Sequence, residues 1–146
     1  MRQRTMLRFT RGLLGVLLLA GAVAACDDEP ATPTQPAPVP VTDTFPGTVG
    51  SNDAKSHDFP IATSGTVTAT LKTIGSDNTL VVGFNLGTWN TTTSSCTVVF
   101  ANDAATAGAV LTGTMTNAGA GCVRIYDVGN IAASTSAAYS IEVVHP

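Results

Sequence analysis

The run Gly65-Thr-Val-Thr-Ala-Thr-Leu-Lys-Thr73 sets Val67, Ala69 and Leu71 against Thr66, Thr68, Thr70 and Lys72. An apolar residue at every second position places all three on one face of an extended strand, and the β-branched residues between them favour that conformation. From Phe45 onward no window carries an apolar stripe at helical spacing, so this part of the chain is expected to be all-β. Leu80, Val82, Phe84 and Leu86 repeat the alternation in 79–86 after the turn residues Ser76-Asp77-Asn78, and the two runs are expected to pair as a hairpin. Six further runs read as strands: 45–50, 55–61, 96–101, 109–116, 122–128 and 139–144. Clusters such as Gly50-Ser-Asn-Asp53 and Asn117-Ala-Gly-Ala-Gly121 separate them. Eight short strands joined by turns predict an antiparallel β-sandwich over residues 45–146.

The first twenty-six residues follow another logic. Arg2, Arg4, Arg8 and Arg11 precede residues 12–25, which carry no charge. As a helix those fourteen residues would reach roughly 21 Å, short of a hydrocarbon core of about 30 Å. A basic start, a short apolar run and small residues at its end predict a secretory signal peptide over 1–25. The sequence Val23-Ala24-Ala25-Cys26 resembles the lipobox of bacterial lipoproteins. That resemblance implies cleavage before Cys26, a diacylglycerol on its thiol, and a chain anchored to a bacterial membrane with its domain in the periplasm or on the cell surface. Several acyl chains hold a protein firmly where a single one does so only marginally. Residues 26–44 read as a tether, because Pro30, Pro33, Pro36, Pro38 and Pro40 favour an extended polyproline-type spacer of about 30 Å.

With Cys26 assigned to lipid, Cys96 and Cys122 remain in a chain expected in an oxidising compartment, and they are expected to form a disulfide. A Cys nucleophile needs a partnered base, and zinc needs more ligands than two thiols.

Several stretches carry a second resemblance: Phe45-Pro-Gly-Thr-Val, His57-Asp-Phe-Pro-Ile, Gly65-Thr-Val-Thr-Ala-Thr-Leu, Val82-Gly-Phe-Asn-Leu-Gly87, Cys122-Val-Arg-Ile-Tyr-Asp-Val-Gly129 and Tyr139-Ser-Ile-Glu-Val-Val144. Their order resembles the bacterial pre-peptidase C-terminal domain, which is found after secreted proteases and alone in small exported proteins. The resemblance implies a jelly-roll-like β-sandwich. Some members hold calcium through acidic side chains, but no acidic cluster of this chain can be placed on those positions.

Residues able to support catalysis are few. His57 and Asp58 are neighbours on a strand and so point to opposite faces, and no Gly-x-Ser-x-Gly elbow is present; His57 is expected to be a solvated strand residue. His145 is the penultimate residue, where chain ends are commonly mobile. Asp77, Asp103 and Asp127 fall at turns beside Asn residues, where they could offer oxygen ligands to a hard cation, but turn chemistry is the simpler reading; no metal or other cofactor is expected. Trp89, the sole tryptophan, lies in a polar stretch and reads as a cap on the sandwich core, with stacking on a sugar or a partner surface as the functional alternative. Beyond residue 25 three cations stand against ten acids, a net charge of −7, which argues against nucleic acid as a partner. The expectation is a membrane-anchored, non-catalytic binding or structural module of the cell envelope. The alternative is an accessory subunit that binds carbohydrate or protein for a separately encoded secreted hydrolase.

Overall fold

The computed structural model describes residues 37–146; the expected signal peptide, Cys26 and the spacer as far as residue 36 lie outside the described residues. Eight strands follow in order: β1 Val41–Gly50, β2 Ala54–Ile61, β3 Gly65–Ile74, β4 Val82–Asn90, β5 Ser95–Ala105, β6 Val110–Met115, β7 Gly119–Tyr126 and β8 Ser136–His145. Sheet A has the order β1-β8-β3-β6 and sheet B the order β2-β7-β4-β5. Every pairing is antiparallel. Among the described residues β4 and β5 are the only consecutive strands that share a sheet. Each other connection crosses from one layer to the other, which is the wiring of a jelly roll.

That wiring corrects the expected hairpin of 65–73 with 79–86. The first of these runs, on β3, pairs with β8 and β6, whereas the second, on β4, pairs with β7 and β5. Val67, Ala69 and Leu71 thus meet Phe84 and Leu86 across the interior instead of lying beside them. The turn between the strands is fastened to sheet A, because Gly75 N donates to Ala138 O (2.8 Å) and Ile74 N to Asn78 Oδ1 (3.0 Å). Gly75 and Asn78 adopt the left-handed backbone that this turn requires, with φ of 66° and 62°.

The inner faces of both sheets build one core around Phe59, Phe84, Leu71, Ile74, Ile125 and Ile141, all buried. Three aromatic rings lie on glycines directly opposite them: Tyr139 on Gly47, Phe59 on Gly121 and Tyr126 on Gly83. A Cβ at any of these glycines would collide with the ring, so ring and glycine share one side chain's volume. The chain end is secured as well. β1 begins at Val41, four residues earlier than expected, and pairs with β8 from Val41↔His145 to Gly50↔Ser136. His145 is therefore held in the sandwich at 3% exposure, with Nε2 3.0 Å from Asp43 Oδ2 and its ring beside Phe59. The expectation of a loose end fails because the ladder reaches the penultimate residue.

Cys96 and Cys122 are bonded, with a Cα–Cα distance of 5.7 Å. They sit on β5 and β7, the two neighbours of β4. Strands two apart in a flat sheet are separated by about 9.6 Å. The short distance therefore needs β5 to curl over β4, and an extra residue at Val99, between Leu86↔Phe100 and Gly87↔Val98, supplies the bend. Gly87 lies under the crossing, where a Cβ would strike the Thr97 carbonyl. Replacing both cysteines by serine is expected to lower the unfolding free energy by about 3 to 4 kcal/mol, read from urea denaturation as an earlier midpoint. An unchanged midpoint would show that the curl of β5 stands without the bridge.

Candidate functional site

The two lateral sides of the sandwich differ in character. On one, β1 faces β2 and an aromatic contact closes the gap: the Phe45 and His57 rings stack at 5.0 Å, and His57 Nε2 lies 2.8 Å from the Tyr139 hydroxyl on β8. His57 is thus half-buried and partnered, not solvated as expected, because Phe45 and Tyr139 of the opposite sheet converge on it. The nearby polar groups are structural in the same way. Asp53 pairs with Lys55 at 2.9 Å.

On the other side β5 faces β6, and here a cleft of about 420 Å³ opens between the sheets. Phe59, Val67 and Leu86 line its depth, Val99 and Phe100 one lip, and β6 with the turn into β7 the other. Gly113 forms part of its wall, with the Phe100 ring packed where a Cβ would otherwise lie. The lining is apolar apart from three threonines and Asn117, and contains no ionisable side chain. Its size falls within the ~300–1,000 Å³ range of small-ligand sites. Around it Val98, Val99, Phe100 and Val110 are exposed, whereas soluble surfaces seldom gather so many large apolar side chains. What the arrangement offers is desolvation and shape, with no ionisable side chain among the residues that line it.

The residues singled out from the sequence do not converge on this cleft. Trp89 is a strand residue opposite Cys96, half-buried, and neither lines the cleft nor packs against the core cluster, so the loop position and the core cap are both corrected. The reason is that β4 runs on past Gly87 to Asn90, carrying Trp89 beyond the last buried residue of the strand. Asp127 fastens two turns: Oδ2 accepts from Asn52 N (2.9 Å), and Oδ1 accepts from the amides of Gly129, Asn130 and Ile131. These donors, Asn52 foremost, hold its carboxyl below the usual carboxylate range. Asp77 caps the Thr79 amide, and Asp103 accepts from the Tyr126 hydroxyl. Among the described residues no three His, Cys, Asp or Glu side chains gather into a metal-binding group.

Sequence reasoning passed over two features. One is Asn85, whose Oδ1 is buried with no hydrogen-bond partner. The other is the cleft itself, for which a signal exists: between residues 79 and 123 the only charged side chain is Asp103.

No protein-family model matches this chain, and no curated protein does. Among solved structures it is similar to the Yersinia pseudotuberculosis-derived mitogen, at a TM-score of 0.51 and 15% identity over 74% of this chain and 88% of that one. A second similar structure is Aeromonas hydrophila PliG, a periplasmic inhibitor of g-type lysozyme, at a TM-score of 0.48 and 18% identity over 71% of this chain and 86% of that one. The likeness to the mitogen is one of fold and shows a β-sandwich.

Burial holds the His57 pKa below its ordinary value of 6.5, with the Asp58 charge pulling the other way. The unfolded chain therefore takes up this proton first as the pH falls, so His57 costs the fold nothing well above pH 6.5 and destabilises it progressively below. Relative to a His57→Gln variant, the native chain is expected to lose stability between about pH 7.5 and about pH 5, read by urea unfolding at both. Parallel profiles for the two proteins would sink this assignment.

Proposed function

We propose that this chain is an exported lipoprotein whose β-sandwich is a non-catalytic binding module of the bacterial cell envelope, with the cleft between β5 and β6 as its ligand site. The observation that carries the reading is the lining of that cleft, mostly apolar and free of ionisable side chains. Such a site gains affinity by removing apolar surface from water, and it offers nothing to polarise a bond or move a proton. The N-terminal sequence supports the anchor: four arginines, fourteen uncharged residues and Val-Ala-Ala-Cys26. The jelly-roll wiring is the fold that the pre-peptidase C-terminal resemblance implies.

Two measurements test the two halves. Mass spectrometry of the membrane fraction is expected to find a mature chain beginning at acylated Cys26, and Cys26→Ser is expected to leave the protein out of that fraction; a mature start elsewhere defeats the anchor. For the cleft, the apolar dye anilinonaphthalene sulfonate is expected to bind saturably. Thr88→Arg, at an exposed position on the cleft wall, is expected to weaken that binding roughly tenfold by placing a charge in an apolar site. Dye binding that never saturates, or that ignores the substitution, removes the cleft from the argument. The carbohydrate-binding alternative places its ligand at Trp89, outside the cleft, and predicts quenching of that single tryptophan by soluble glycans.

A further inference from the structure

The edges of the sandwich are guarded unequally. β1 and β2 carry Asp43, Pro46, Lys55, Asp58 and Pro60, side chains of the kind that keep an edge strand from pairing with another chain. β6 reads Val-Leu-Thr-Gly-Thr-Met and carries neither charge nor proline. It pairs with β3 in unbroken register from Val110 to Met115, and among the described residues no strand lies on its other side. That free edge is straight and presents its N–H and C=O groups in a row. β5 is different, because extra residues at Val99 and again at 103–104 bend it out of line. On β6 the half-buried positions are Leu111, Gly113 and Met115, and the last two line the cleft. A strand laid beside β6 would therefore satisfy the backbone row and turn every second side chain toward the cleft.

We propose that β6 is a strand acceptor: an extended, uncharged polypeptide segment of a partner protein adds to sheet A as its fifth strand and lays alternate side chains into the cleft. This rests on the cleft being the ligand site and adds the class of its ligand. A glycan or a small apolar molecule can occupy the cleft but leaves the row of backbone groups unmatched, whereas a peptide backbone repeats donor and acceptor at the spacing of the edge. Charge selects in the same direction. Over residues 79–123 the one charged side chain is Asp103, already engaged by Tyr126, so a Lys or Glu entering the cleft would shed water and find no counter-charge among the side chains that line it.

The probe is an end-capped peptide with the sequence of residues 65–72, which in the intact protein pairs antiparallel with the other edge of β6 through residues 65–70, leaving its lysine beyond the paired stretch. Two companions are N-methylated at alternate residues, each losing the N–H groups of one edge. Titrated into the full chain, the unmodified peptide is expected to bind saturably. One companion is expected to bind roughly tenfold more weakly while the other keeps its affinity, because strand addition uses one edge of the ligand. Hydrogen exchange of alternate β6 amides is expected to slow when the peptide binds, and Thr88→Arg is expected to weaken it. Equal affinity for all three peptides, protection away from β6, or indifference to Thr88→Arg overturns the proposal. Should the apolar dye saturate the cleft while the peptide fails to bind, strand addition falls and the ligand site stands; should neither bind, both fall. A dimer that protects the same β6 amides without peptide gives the edge to a second copy of this chain and overturns the proposal too.

Discussion

The structure depends on one constraint: strands with a single apolar face can take it out of water only by turning it toward the faces of the other sheet across a shared interior. Val67, Ala69 and Leu71 on β3 cannot be buried by a neighbour in their own sheet, since neighbours lie edge to edge. They need Phe84 and Leu86 from the other layer. Crossing between layers at nearly every turn follows from this, and so does the closure at the chain end, where β8 lies between β1 and β3 and brings Tyr139, Ile141 and Val143 into the core. The hydrophobic term is non-directional, so it sets which faces meet and leaves register to the ladders and turns.

Register is refined where bulk meets its absence. Tyr139 over Gly47, Phe59 over Gly121 and Tyr126 over Gly83 fit only when ring and glycine are direct partners, so a slip of one residue sets a ring against a side chain. Gly87 and Gly113 play related parts with different outcomes. The first admits β5 across β4, and the second admits the Phe100 ring against the cleft wall.

Much of this could be read from the residues alone. Period-2 alternation marked two strands, turn clusters bounded the other six, and parity among the cysteines identified the pair that is bonded. Pairing partners were not legible. Ser76-Asp77-Asn78 is equally suited to a hairpin and to a crossing between layers, and which one forms is decided by β8, whose Ala138 carbonyl takes the Gly75 amide from more than sixty residues away. Local turn chemistry holds no information of that range. The cleft escaped notice for a related reason: the scarcity of charge over residues 79–123 marks an apolar stretch, but which strands enclose a cleft is set by pairings far apart in sequence. Trp89 and His57 attracted attention as chemically distinctive side chains, and one lies beyond the core while the other is packed between Phe45 and Tyr139.

The register of sheet A also settles which way the cleft faces. Thr42 pairs with Val144, Val144 with Thr68 and Thr68 with Thr112, so the first residues of β1 stand level with the middle of β6. From that row Gly113 and Met115 continue toward the end where the chain enters the sandwich, and the turn into β7 lies at the same end. The cleft and the start of β1 therefore share one end of the sandwich, opposite the turn at Gly75, so a segment seated along Gly113 and Met115 lies level with the first and last residues of the paired β1 and β8.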